Sequence, residues 1–158
     1  MTGRVTPAVR AAEQAGLAFQ LLEYDYDPSA DEIGIHAAES LGRDPATVFK
    51  TLVVAVDGAL VCAVVPSDAR LNLKALAAAA GTKKAELADP KLAERTTGYV
   101  IGGISPLGQR KRLRTFVDAS ASSLNEIVVN GGRRGLQIAL KPADLIAATS
   151  AVVTPLRS

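Results

Sequence analysis

Two periodicities alternate along the chain. Between Thr6 and Gly16, Val9, Ala12 and Ala15 recur at helical spacing, with Thr6 placed to cap the first turn, Pro7 at its first position and Gly16 as the stop. "AFQLLEY" then reads as a strand and "DEIGIHAAESLG" as a second helix closed by Gly42. "TVFKTLVVAV" and "ALVCAVVP" are β-rich runs around Asp57-Gly58, a pair that favours a two-residue hairpin turn. Both runs are apolar at nearly every position, so the hairpin is expected to be buried on both faces.

Helical signals return in "NLKALAAAAG", capped by Asn72 and stopped at Gly81, and in "DPKLAERTTG", with Asp89 as cap, Pro90 at the first position and Gly98 as the stop. "YVIGG" and "RLRTFVD" read as strands around a glycine turn. "EIVVN" and "LQIAL" flank "GGRRG", and "KPADLIAAT" is a last helix started by Pro142. Hairpins mixed with scattered short helices, without repeats or low-complexity linkers, predict one α+β domain over residues 1–158, a curled, barrel-like mixed β-sheet surrounded by short helices.

Composition narrows the chemistry. The 158 residues suit one core rather than two, and 48% hydrophobic content with 4% aromatics makes that core aliphatic. No window approaches the length of a membrane span, and no apolar run precedes the first charges. The single Cys62 cannot form an internal disulfide, which fits a reducing, cytoplasmic setting. One cysteine and one histidine do not make the usual zinc site or a Ser-His-Asp or Cys-His nucleophile, so neither a metal nor another cofactor is expected. An enzyme built this way would take a chemical group from its substrate.

The net charge of +2 is small, but its distribution is uneven. Acids gather from Glu23 to Glu39, while basic residues gather at Lys83-Lys84, at Arg110, Lys111, Arg112 and Arg114, and at Arg133-Arg134. A local basic face able to receive phosphates follows.

Lys50, inside "TVFKTLV", either reaches past an edge to solvent or points its ammonium into a cleft, where it would be a fixed donor for an anion or carbonyl oxygen. Gly102-Gly103 followed by Ser105-Pro106 is either a tight connection or a place where a ligand meets backbone N–H groups. It matches neither the phosphate-binding P-loop nor the dinucleotide fingerprint. Tyr24 is a core residue or a stacking platform, Tyr26 shares its face if the strand continues, His36 has no second ligand to join it, and Cys62 reads as core.

The blocks "VFKTLVV", "KAELADPKLAERTTGYVIGGISPLGQRKRL" and "GGRRGLQI" resemble, in order and spacing along nearly the whole chain, the YbaK/EbsC family of aminoacyl-tRNA deacylases, whose wider relatives include the inserted editing domain of prolyl-tRNA synthetase. The likeness within the family is to the Cys-tRNA(Pro) deacylases. It implies hydrolytic editing of mischarged tRNA beside prolyl-tRNA synthetase, with the substrate's own thiol attacking the ester. It also implies an essential Lys50, with Gly102 and Gly103 supplying backbone groups at the reacting ester. Tyr24, Thr51, Ile104, Ser105, Pro106 and Gln137 would contact the substrate, Gln137 standing where the family often carries a short polar or acidic residue. Lys83, Lys84, Arg110, Lys111, Arg112, Arg133 and Arg134 would take the acceptor-stem phosphates. Competing readings are a module that binds tRNA or the synthetase without cleavage, a deacylase for another small amino acid such as alanine, and an enzyme acting on a small phosphate or nucleotide.

Overall fold

The caps anticipated from sequence form as hydrogen bonds in a computed structural model that describes residues 5–29 and 33–158. Thr6 Oγ1 accepts the Val9 amide at 3.1 Å to open helix α1, Pro7–Gln14. Strand β1, Phe19–Glu23, leads to α2, Ile33–Ser40; the Asp31-Glu32 start expected for this helix lies outside the described residues. Strands β2, Phe49–Val56, and β3, Ala59–Pro66, join through Asp57 (φ 48°) and Gly58 (φ 87°), both left-handed as the predicted turn requires.

Helix α3, Leu73–Ala80, is capped by Asn72 and ended by left-handed Gly81. A short strand β4, Ala85–Leu87, precedes α4, Pro90–Thr97, capped by Asp89 and ended by left-handed Gly98. Strands β5, Arg114–Asp118, β6, Ile127–Arg133, and β7, Leu136–Leu140, follow, then α5, Pro142–Thr149, and β8, Val152–Thr154.

Two local expectations are corrected. "YVIGG" is not a strand: Val100 C=O accepts the Gly103 amide at 2.8 Å, Gly102 sits at φ 87°, and the chain turns before it can pair. Nor does a hairpin form there, because β5 runs parallel to β3. In "GGRRG" the tip is Arg134-Gly135, while Gly131 and Gly132 lie inside a bulge of β6 between Asn130 and Arg133. The short strands β4 and β8 have no signal of their own in the sequence, being three residues each.

The sheet is also not a barrel. Three antiparallel strands in the order β1-β7-β6 form one sheet, and β4-β2-β3-β5-β8 form a second, mixed one. A single parallel bridge, Val48 to Val128, ties them at one corner. Beyond it the sheets diverge, so neither closes on itself or on the other.

Their facing sides share the main core, Phe49, Val53 and Val64 from one sheet meeting Ile127, Val129 and Ile138 from the other. Val61, Ala63 and Val65 face a second core under α3, whereas Cys62 and Val64 face the first, so β3 is buried on both sides as its apolar run requires. Among the described residues no helix is long and apolar enough to cross a membrane.

Asp118 fastens the C-terminal segment to this frame. Its buried carboxylate accepts the amides of Ser120 (3.1 Å) and Leu156 (2.8 Å) and pairs with Arg157 at 3.2 Å. Burial pushes its pKa up, but the Ser120 and Leu156 hydrogen bonds and the Arg157 charge outweigh burial and hold it below the ordinary value. Stability from a lowered carboxyl pKa is present above the unfolded value and is lost as pH falls through the folded one. Asp118→Asn should therefore cost about 1–3 kcal/mol in urea unfolding at neutral pH. The gap between variant and wild type should narrow as pH falls through the lowered folded-state value, where the wild-type carboxyl also protonates; a gap unchanged with pH would show that the carboxylate charge contributes nothing.

Candidate active site

The divergence of the two sheets leaves a cavity of about 430 Å³. One wall is Val48 to Val53 of the β2 region. The opposite wall carries Tyr24, Asn130 and Gln137, and Ile101, Gly102 and Ile104 close one end. The cavity exists because β4 pairs only with Val54, Ala55 and Val56, so the edge of β2 before them is uncovered. Val53 C=O still accepts the Ala88 amide at 3.0 Å. Alternation along the ladder then turns the backbone of Thr51 to that same open side.

Lys50 is half-buried and lines the cavity with Thr51. Its register partner Val65 faces the second core, whereas Thr51 pairs with Val64 of the first, so Lys50 and Thr51 meet the cavity from opposite faces of the uncovered β2 edge. Thr51 Oγ1 and the Tyr24 hydroxyl are buried without a hydrogen-bond partner, an arrangement that leaves polar capacity for a bound molecule. Burial pushes the Tyr24 pKa up, Tyr26 adds to the rise, and the Gly135 backbone and Gln137 side chain nearby oppose it. The Tyr24 ring also meets His36 edge-on, 5.7 Å between centroids.

Of the residues singled out from sequence, Tyr24, Lys50, Thr51, Gly102, Ile104 and Gln137 come together around this space. Gly103, Ser105 and Pro106 stand behind its wall. The Gly103 amide is already bonded to Val100 C=O, and a Cβ there would lie 3.0 Å from backbone atoms of Arg133 and Arg134, so its glycine serves close packing. Ser105 is fully buried and its Oγ accepts the Leu107 amide at 3.2 Å.

The basic residues divide. Arg112 donates to Ala148 C=O and Ser150 Oγ, both at 3.1 Å, and so caps α5. Arg114 lies over the Phe116 ring. Arg133 reaches Glu23, and Arg134 donates to Ile101 C=O at 2.9 Å while stacking on Tyr26. Lys83 and Lys84 sit by Asp57, whose carboxylate accepts both their amides. That hairpin tip is roughly 23 Å along β2 from Lys50. Arg110 and Lys111 remain exposed beside α4.

Asn130 gave no signal in the sequence and holds the site together. Its Nδ2 donates to Gly102 C=O at 3.0 Å and its Oδ1 accepts the Gly132 amide at 2.7 Å. The glycine loop is thereby tied to the β6 bulge. Gln109, likewise unmarked, braces the loop from inside, bonding Ser105 C=O, the Leu113 amide and Cys62 Sγ. Only the cavity's position, once known, picks either out from other amides.

No Asp, Glu, His or Cys is found among the described residues lining the cavity. Cys62 lies in the core, and burial raises its thiol pKa to about 11 despite the Gln109 hydrogen bond. Among the described residues no cluster of His, Cys, Asp and Glu could hold a metal ion.

The aminoacyl-tRNA editing domain model matches residues 27–148. A protein of Enterococcus faecalis named as the Cys-tRNA(Pro)/Cys-tRNA(Cys) deacylase EbsC is 39% identical over 94% of this chain and 91% of its own. The multifunctional Ser/Thr-tRNA deacylase ProXp-y of Escherichia coli is 27% identical over 84% of this chain and 80% of its own. A crystal structure described as a trans-editing enzyme for prolyl tRNA synthetase superposes with a TM-score of 0.87 at 23% identity, covering 100% of this chain and 99% of that one, a likeness of fold.

If Asn130 fixes the loop through both its bonds, Asn130→Ala should lower stability by about 1–3 kcal/mol and expose the Gly132 amide to hydrogen exchange. Asn130→Asp keeps the acceptor but not the donor, so Gly132 should stay protected while the Gly102 side loosens. Equal exchange at Gly132 in wild type and Asn130→Ala would show that the bond fixes nothing.

Proposed function

The chain belongs to the family of aminoacyl-tRNA editing domains, and we propose on that footing that it clears mischarged tRNA by cleaving the aminoacyl ester, with Cys-tRNA(Pro) as its substrate and prolyl-tRNA synthetase as the enzyme it works beside. The observation that carries the proposal is a cavity that offers a cation, two unpartnered hydroxyls and a glycine turn but, among the described lining residues, no cysteine and no histidine or carboxylate base to activate a hydroxyl, while Ser67 Oγ already donates to Val48 C=O. Such a site can hold and polarise an ester while the substrate supplies the attacking group.

A cysteinyl ester brings that group. Its thiol sulfur bonds to the ester carbonyl carbon, the carbon–oxygen bond to the terminal ribose breaks, and the thiol proton ends on the ribose hydroxyl. The four-membered thiolactone so formed is opened by water to free cysteine. Lys50, which lines the cavity, would favour the negative oxygen as the carbonyl carbon becomes tetrahedral, since a charge in a partly dry cavity acts more strongly than in water. Thr51 and Tyr24 offer hydrogen bonds to the aminoacyl group, and the Phe49 and Ile104 side chains shape an apolar wall for a small side chain. Editing at a second site is needed because a synthetase pocket separates similar small side chains by only about 10- to 200-fold.

The panel that tests this is Cys-, Ser-, Ala- and Pro-charged tRNA(Pro). Rapid release of cysteine with little loss from the other three is expected; serine, nearly isosteric but a poorer nucleophile, released as fast as cysteine would contradict the thiol's role, and an intact ester throughout would leave a binding module. Lys50→Met, which keeps the aliphatic stem, should slow cysteine release on the order of 100-fold, comparable to removing one strong oxyanion donor. Its thermal midpoint should stay near wild type, and a folded Lys50→Met protein as active as wild type would remove Lys50 from the chemistry.

A further inference from the structure

Helix α4 borders the cavity. Pro90 and Ala93 line the cavity, and one turn apart on the outside stand Lys91 and Arg95, both exposed. The helix's acids are engaged by backbone amides rather than paired with these cations. The Asp89 carboxylate accepts the Leu92 amide at 3.0 Å, and Glu94 is turned back to accept the Ile101 amide at 2.8 Å.

The chain after the glycine loop adds two more cations at the helix's C-terminal end. The Arg110 and Lys111 amides donate to Thr97 and Thr96 C=O at 2.8 and 3.0 Å, and the Arg110 side chain crosses Gly98. Among the described residues none of Lys91, Arg95, Arg110 and Lys111 has a carboxylate partner, and none spends its side chain on a backbone carbonyl as Arg112, Arg114 and Arg134 do. Toward the cavity this basic strip gives way to apolar residues on its rim, Leu87 at 62% and Ile101 at 42% exposure.

We infer that the outer face of α4 is the tRNA-docking surface, with Lys91 and Arg95 continuing the Arg110-Lys111 pair into one phosphate track, and Leu87 and Ile101 forming the apolar mouth through which the unpaired 3′ end enters. The inference rests on the proposed deacylation. The order of chemistry across the surface matches that ligand: a duplex presents rows of phosphates, whereas a single-stranded end presents bases that stack on apolar side chains. The helix is about 12 Å long, so the strip spans several phosphates of one strand.

The test compares wild type with a Lys91→Gln/Arg95→Gln double variant in kcat/KM for charged tRNA at several salt concentrations, and in hydrolysis of a minimal aminoacyl-adenosine. Each lost phosphate contact lowers the log–log salt slope by about 0.9, so the double variant should show a slope smaller by about 1.8. Between roughly 50 and 200 mM salt, wild type should lose about 12-fold more activity on tRNA than the variant loses. Aminoacyl-adenosine should be cleaved at the wild-type rate by the variant. Lys74→Ala, an exposed position on α3 over the other sheet face, serves as the control and should leave the slope unchanged.

An unchanged slope in the double variant of an active enzyme would overturn the docking surface while leaving deacylation standing. A parallel loss on aminoacyl-adenosine would also overturn it, showing that the helix supports the cavity instead. A wild-type protein inactive on every charged tRNA would count against the deacylase reading itself.

Discussion

A loop cannot carry backbone groups to a cavity wall unless something fixes it there, and here the fixing contact is between the glycine loop and the bulged strand β6. Gly103 lies so close to Arg133 and Arg134 that an added Cβ would stand 3.0 Å from their backbone, tighter than ordinary contact, and Asn130 closes the contact by bonding Gly102 on one side and Gly132 on the other. The bulge itself favours glycine, since a Cβ at Gly131 would lie 2.9 Å from Leu136 Cγ, and Gly132 sits at φ 100° with Thr6 and Tyr99 crowding the place of a Cβ. Thr6 Oγ1 in turn donates to Gly131 C=O, so the residue that starts α1 also pins the bulge. Two glycine-rich stretches distant in sequence are therefore one structural unit, and the cavity is bounded on one side by their seam.

Much of this architecture was legible because its causes are local. Helix caps at Thr6, Asn72 and Asp89, prolines at first turns, and glycines at helix ends each act within a few residues, and Asp57-Gly58 dictates its own turn. The elements that were misread depend on distant partners. "YVIGG" has the composition of a strand but lacks a neighbour, because β3 is already paired with β2 and with β5. Hairpins mixed with short helices suggest a curled, barrel-like sheet; whether sheets close depends on how far β2 follows β6, and they share a single bridge.

The candidate site was legible in its chemistry and less so in its division of labour. Lys50 and Gly102 stood out because a charge in an apolar strand and paired glycines are unusual, and both line the cavity. The basic run could not be divided from sequence, since Lys111 and Arg112 are adjacent yet one is exposed beside α4 and the other caps α5. Asn130 was invisible because its function lies in two backbone groups it touches across the fold. The resulting division is simple: glycines and amides set shape, Lys50 lines the cavity, and exposed cations near α4 face outward.

The central claim is that the space between the sheets receives the aminoacyl end of a tRNA. The most direct measurement is a crystal structure with a stable amide analogue of 3′-cysteinyl-adenosine, in which nitrogen replaces the ester oxygen. The account predicts the aminoacyl carbonyl between Lys50, Thr51 and Gly102, with the adenosine leaving past Leu87 and Ile101. Density for the analogue elsewhere, such as the polar hollow lined by Arg70, Asp118 and Arg157, with the cavity between the sheets empty, would contradict it.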